Sequence, residues 1–350
     1  NEIAFSSSFF GYSNLPAIYL AKMLVELTPE GLDRVFFTCG GSETNESNLK
    51  IARYYNNIQG RNDKIKVISR LYGYHGVSMA ALSATGMPNF WKNFEPLLPG
   101  FTHIPPAHCY HCPFDRVYGQ CNIECAYELE KTIEKEGPRT VAAFIAEPVC
   151  GAGGVIPPPL EYFPIIRDIC SKYEVLLILD EVITGFGRTG KMFACEHWKV
   201  TPDMMSLAKG ITSGYIPLGA AVIKGEIIDT ITEKAPPELP FLHGFTYNGH
   251  PVCCAAGLKN IEIIDREGLV ENAARMGSYL LSRLEELREF DLVGDVRGLG
   301  LMAAIELVSD RDKKTGFNPP GKAGVLVTGI AYQLGLICRN TYDTVTRSPP

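Results

Sequence analysis

The run at residues 175–179, VLLIL, closed by Asp180, most constrains what this chain can fold into. A stretch that is apolar on both faces, yet too short for a helix, reads as a strand covered on both sides. Its surroundings agree. Residues 34–38, 66–69, 141–146, 204–207 and 220–223 are further short apolar runs, and 43–55 and 162–173 carry helical spacing. Earlier still, Leu20, Leu24 and Leu27 line one helix face behind the start signals Ser13-Asn14 and Pro16. Helix and strand in alternation predict an α/β fold with a mostly parallel sheet. From about Pro251 the texture changes. One helical region is expected to Phe290, with Met276, Leu280, Leu284 and Leu287 on a stripe, and 296–307 reads as one Gly-interrupted strand. A chain of 350 residues suits two or three domains, and the change near 250 predicts a large domain over 1–250 and a smaller one over 251–350.

Composition removes several function classes. At 46% apolar and 21% charged residues, disorder and coiled coil are out. Acids outnumber bases for a net charge of −6, without a long basic run, so nucleic acid and anionic membrane are poor partners. The apolar stretch 323–338, between Lys322 and Arg339, is too short to span a bilayer. Eleven cysteines, an odd number that includes adjacent Cys253 and Cys254, suit a reduced, cytoplasmic compartment rather than a disulfide scaffold. Cys109, Cys112, Cys121 and Cys125, with His108 and His111 among them, are either zinc ligands or a surface loop of reduced thiols, and the close spacing of the pairs favours the loop, so no metal is expected. Both ends read as clipped: the first residue is not Met, and Ser348-Pro349-Pro350 directly follow a strand-like run.

Two signals compete after the central strand. Gly185, Gly187 and Gly190, with Asp203 downstream, match a dinucleotide-binding pattern and hence an NAD-dependent oxidoreductase. Against this, the glycines start well past the strand end, and 189–198 is short for a crossover helix. The rival is Asp180 itself. In open α/β sheets the ligand crevice lies at the carboxyl ends of the strands. The next strand delivers Lys209 to the same edge. Gly40-Gly41-Ser42, between a strand and a helix, offers backbone N–H groups to a phosphate. Tyr74-His75-Gly76 supplies an aromatic able to cover a flat ring. Taken singly, these are a cap, a turn lysine and tight turns. Taken together, carboxylate, amine, phosphate cradle and ring face describe a site for pyridoxal 5′-phosphate (PLP).

At this point the sequence resembles the class III, ω-type aminotransferases of PLP fold type I, over essentially its whole length. The matching segments are FFTCGGSETNE, YHG, AFIAEPVCGAGG, LDEVITGFGRTG, DMMSLAKG, HGFTYNGHP and GLGLMAAIEL. The resemblance implies that Lys209 carries the cofactor as a Schiff base and moves the proton, and that Asp180 pairs with the pyridine nitrogen. It implies Glu147 near Asp180, His75 among the cofactor-binding residues, Tyr74 on one ring face and Val182 on the other, and Gly41 and Ser42 on the phosphate. Thr246 then reaches the phosphate of a neighbouring copy, which makes the active form a homodimer or larger. The substrates implied are an amine donor and a 2-oxo acid acceptor. Arg339 is the implied carboxylate anchor and Phe245 a pocket residue. Ala152 stands where relatives that use 2-oxoglutarate commonly carry Glu, which resembles the branch acting on ω-amines, taurine or β-alanine with pyruvate. An aminomutase or decarboxylase on the same cofactor is the nearest alternative. The chain departs from the pattern at Cys39-Gly40, where Asn-Ser is usual, and at Arg347, where a small or apolar residue is usual.

Overall fold

A computed structural model of the chain describes residues 12–238 and 240–349. Residues 1–11 of the expected large domain lie outside them. Seven strands form the main sheet: β1 (Leu32–Thr38), β2 (Lys66–Arg70), β3 (Phe101–Ile104), β4 (Val141–Ala146), β5 (Leu176–Asp180), β6 (Met204–Leu207) and β7 (Gly219–Lys224). Their order is β1-β7-β6-β5-β4-β2-β3. The strands from β3 across to β6 pair in parallel, and β7 runs antiparallel to both β6 and β1. The sheet is thus mostly parallel, as the alternation predicts. The short edge strand β3 and the reversed direction of β7 were not in that expectation.

Helices cover both faces: α1 (Leu15–Leu27), α2 (Gly41–Asn57), α3 (Met79–Ala84), α4 (Glu124–Glu136), α5 (Tyr162–Lys172) and α6 (Gly225–Lys234). The pleat sends alternate residues to opposite sides. Ala143, Ile145 and Ile178 pack with Leu49 and Ile51 of α2 and with Ile227 and Ile231 of α6. Phe144, Leu177 and Leu179 pack on the other side with α1, α4 and α5. A strand covered on both faces cannot alternate polar with apolar, which is why VLLIL is so uniformly apolar.

The region after 250 corrects two expectations. The helical stretch is two helices, α7 (Pro251–Arg266) and α8 (Leu269–Glu285), broken at Gly268, whose φ of 61° a helix cannot continue. The stretch 296–307 is a hairpin of β8 (Val293–Leu299) and β9 (Met302–Leu307), turning at Gly300 with φ 58°. After α9 (Lys322–Gln333), a second hairpin of β10 (Arg339–Thr341) and β11 (Thr344–Arg347) completes an antiparallel sheet in the order β10-β11-β9-β8. No helix among the described residues is long and apolar enough to cross a membrane.

Candidate active site

Register builds the site. Asp180 lies opposite Ser206 and Leu179 opposite Ala146, so Glu147, one residue further on, emerges beside Asp180. Lys209 follows two residues after β6. Three strand ends therefore deliver two carboxylates and an amine to one edge. They line a cavity of about 190 Å³ with Gly41, Ser42, Asn45, Tyr74, His75, Gly76, Val182 and Ile183. The main chain of Lys209 has φ 43°, a left-handed conformation that its β-carbon disfavours and that recurs at functional positions.

Asp180 is buried and held from three sides. Its Oδ2 accepts from Asn45 Nδ2 at 2.7 Å and from His75 Nδ1 at 2.8 Å, and its Oδ1 accepts from the Val182 amide at 3.1 Å. Asn45 is fixed in turn, since its Oδ1 accepts from Ser206 Oγ at 2.6 Å and its Nδ2 also donates to the His75 carbonyl at 2.7 Å. A carboxylate can only accept, so His75 carries its proton on Nδ1. Its Nε2 is buried without a hydrogen-bond partner among the described residues.

Glu147 is also buried. Its oxygens accept from the amides of Tyr74 and Gly151, each at 2.9 Å. Burial pushes its carboxyl above the usual range and the Asp180 charge adds to this, while His75 and the two amides oppose it. Burial and the same two carboxylates raise the Tyr74 phenol. Beneath lies Arg70, fully buried, which donates to the Glu147 carbonyl and stacks its guanidinium on Tyr162 and Phe163 at 5.6 and 5.7 Å. Sequence reading missed Asn45, Ser206 and Arg70. Asn45 lies inside the FFTCGGSETNE segment, yet nothing in the spacing marks it as a partner of Asp180.

The opposite end of the cavity suits a phosphate. α2 starts at Gly41 with Gly40 before it, and no side chain caps its first turn. The backbone is tightly packed there. A β-carbon on Gly41 would lie 2.9 Å from Val182, and one on Gly76 would lie 2.3 Å from Ser42 Oγ. Open N–H groups at a helix start bind anions, and Cys39-Gly40 keeps them open. A flat ring with an anionic tail would fit this outline, with Gly41 and Ser42 to hold the tail, Asp180 to meet a ring nitrogen and Lys209 to meet an aldehyde. PLP has that shape.

Three expected residues are not brought into this cavity. Thr246 is exposed, Phe245 packs edge-on against His243 at 5.2 Å, and Arg339 is exposed at the start of β10. Residues 335–338, whose apolar run reads in sequence as a strand leading to Arg339, are a turn and coil, with Gly335 at φ 86°. Arg339 opens a strand instead of closing one.

The dinucleotide reading fails on geometry. Gly185, Gly187 and Gly190 lie in a continuous turn, and no helix starts from them. They serve contact with the second sheet and its helix. A β-carbon on Gly190 would lie 2.7 Å from Ala274 of α8, and one on Gly300 would lie 2.3 Å from the Thr189 backbone. Asp203, the acid expected on a ribose, is consumed by Arg167 and Lys224, both at 2.8 Å, and by the Leu177 amide at 2.7 Å. Arg188 donates to the carbonyls of Leu301 and Pro349, as a structural residue would. The four clustered cysteines, all free thiols, line one small cavity of about 20 Å³. Among the described residues, no group of three His, Cys, Asp or Glu is arranged to hold a metal ion.

Comparison with known proteins fits this geometry. A putrescine–pyruvate aminotransferase of Pseudomonas aeruginosa is 42% identical over 350 residues, covering all of this chain and 76% of that protein. A diaminobutyrate–2-oxoglutarate transaminase of Halomonas elongata is 41% identical over 97% of this chain and 73% of its own length. The crystal structure of an (S)-enantioselective ω-transaminase from Thermomicrobium roseum superposes with a TM-score of 0.94 at 47% identity, over 99% of this chain and 77% of that one. The family model of aminotransferase class-III matches residues 2–350. With the site and the fold in agreement, the chain belongs to the class-III aminotransferases, PLP-dependent enzymes that move amino groups between carbon skeletons.

Proposed function

We propose that this enzyme transfers an amino group from an ω-amine or ω-amino acid, of the taurine or β-alanine kind, to pyruvate. The observation that carries the acceptor assignment is the turn after Glu147. Ala152 presents only a methyl there, and its carbonyl accepts from Thr341 Oγ1 at 2.8 Å. Thr341 and Arg339 are two apart on β10, hence on one face of that strand. Arg339 has no ion-pair partner among the described residues, and Ala152 cannot supply one. A guanidinium with no protein carboxylate to be released from first is ready for a small oxo acid. The pyruvate-using relative supports the same reading.

When bound, PLP supplies an electron-poor ring that takes up the electron pair of the cleaved C–H bond. Everything else falls to the chain. Asp180 keeps the ring nitrogen protonated through a charge-assisted hydrogen bond. Asn45 and His75 occupy its Oδ2, which leaves Oδ1 as the oxygen with spare accepting capacity. With the cofactor bound, the Lys209 amine would hold its aldehyde carbon and, once freed by the substrate amine, would carry the proton from the substrate carbon to that exocyclic carbon. Tyr74 and Val182 would sandwich the ring, and Gly41 and Ser42 would hold its phosphate. Thr246 belongs to the phosphate site of a second copy, so the working form is a homodimer or larger, in the cytoplasm. Residues 1–250 form the cofactor-binding part and 251–350 the smaller part.

A panel of amine donors against pyruvate and 2-oxoglutarate tests this. Pyruvate should give the higher kcat/KM with ω-amine donors. A higher kcat/KM with 2-oxoglutarate overturns the acceptor assignment, and rearranged product without any acceptor points to a mutase.

A further inference from the structure

We propose that Arg297, far down β8 and outside the cavity, is a positioning residue that sets the substrate-carboxylate end of the site. The proposal rests on the reading that Arg339 receives that carboxylate. Arg297 is nearly buried, at 10% side-chain exposure. Its strand pairing is already complete through the Ala304 backbone, so its side chain is free for another task. It spends four of its five N–H donors, in five hydrogen bonds, across the gap between the sheets or within its own acid pair. Nε donates to the carbonyls of Gly154 and Val155 at 3.1 and 3.0 Å, and Nη2 to Gly154 at 2.9 Å. Nη1 pairs with Asp295 at 3.1 Å and with Glu306 at 2.6 Å. A rigid planar fork of this kind fixes direction as well as distance.

The segment it grips needs holding. Gly154 has φ 116° and Val155 φ 49°, and for a β-branched residue a positive φ is a true outlier. The other end of the same turn is tied by the Gly151 amide to Glu147, and the middle by Ala152 to Thr341. Glu306, the partner of Arg297, lies opposite Thr344 of the hairpin that carries Arg339. One guanidinium therefore fastens both the turn and the strand pair between which the carboxylate anchor emerges. Without it, the turn keeps its links to Glu147 and to Thr341 of β10 but loses its tie, through Glu306, to β9, against which the Arg339 hairpin is paired.

The test uses the holoenzyme with Arg297→Lys, Arg297→Met and the milder Thr341→Val, with Arg339→Ala in parallel. Arg297→Met should raise KM for pyruvate and for β-alanine on the order of 10- to 100-fold, the usual effect of an ångström-scale misplacement. Single-turnover rates with an uncharged arylalkylamine and the affinity for PLP should stay within about twofold of the parent. Thr341→Val should shift KM the same way by less, and this holds the proposal to account if Arg297→Met does not fold. Arg297→Lys should recover part of the loss. Equal loss on charged and uncharged donors, or a drop in PLP affinity, overturns the proposal in favour of a general structural role. Selective loss in Arg339→Ala without any in the Arg297 and Thr341 variants overturns it while the Arg339 reading stands. If Arg339→Ala itself shows no selectivity for charge, the underlying reading fails as well.

Discussion

His75 Nδ1 stands 2.8 Å from Asp180 Oδ2, with both residues buried at the end of the central strand. This contact shares one carboxylate oxygen with Asn45 and fixes the plane of the group. It also makes the Asp180 charge hard to replace. Asp180→Asn puts an amide where two donors converge, so one N–H must face another or the side chain must turn. The proton-transfer step should slow by about two orders of magnitude or more, the loss of one pre-set charged contact, while cofactor remains bound. Rapid-mixing single-turnover measurements check this. A near-parental rate would exclude Asp180 as the partner of the ring nitrogen.

Lys209 combines a chemical demand with an unfavourable backbone. Lys209→Ala should fold, lose covalently held cofactor and fall to background turnover. Lys209→Gly should be equally inactive yet more stable than Lys209→Ala by about 1 kcal/mol, because glycine accepts φ 43° without a β-carbon clash. Urea unfolding of the two cofactor-free variants reads the difference. No gain for glycine would mean that the left-handed turn carries no cost.

Thr246 should link cofactor to assembly. If the proposed dimer forms, dilution of the enzyme should release PLP in step with its dissociation. Thr246→Ala should weaken PLP binding by about 10- to 100-fold, the range for a hydrogen bond to a charged group. Sedimentation combined with equilibrium dialysis follows both quantities. A fully active monomer, or PLP retention that ignores protein concentration, would remove Thr246 from the site.

Acid stability should report on the contact between the cysteine loop and the second sheet. Burial pushes the His108 imidazole down to about 4, with the Arg297 charge adding to it. The geometry agrees, because His108 Nδ1 accepts from the His111 amide at 3.3 Å and so stays unprotonated there. The unfolded chain binds this proton first as pH falls. Stability from His108 is therefore full above about 6.5 and lost as pH drops through about 4, up to roughly 3 kcal/mol. Glu306 takes over below. Burial alone would raise its carboxyl, but His111 and Arg297 outweigh that and hold it down to about 2, so its contribution disappears between about 4.5 and 2. His108→Gln should flatten the urea-midpoint profile between pH 6.5 and 4. An unchanged slope would place the acid sensitivity elsewhere.

The sheet and its active edge were legible because burial on two faces leaves a strong mark. VLLIL ending in Asp180, and a second apolar run delivering Lys209, place both groups by topology alone. The polar supports were not legible. Asn45 meets Ser206 and Asp180 across three elements, and a buried hydrogen-bond chain has no sequence period. The apolar residues of 335–338 read as a strand, but Gly335 turns the chain at their start. The triple-glycine pattern misleads for a related reason: glycine marks close backbone approach, and what approaches is visible only in the fold.

That approach has a consequence for how such enzymes change. At Gly190, Gly277 and Gly300, backbone lies against backbone, and a β-carbon would come within 2.7 Å or less of its neighbour. This stack joins α8, the β8–β9 turn and the loop leaving the cofactor strand, and it leaves no slack for even one methyl. The seam should therefore stay frozen while substitutions elsewhere on the chain accumulate. A lineage seeking new substrates would have to leave these three glycines in place, because none of them accepts even a methyl group without moving backbone.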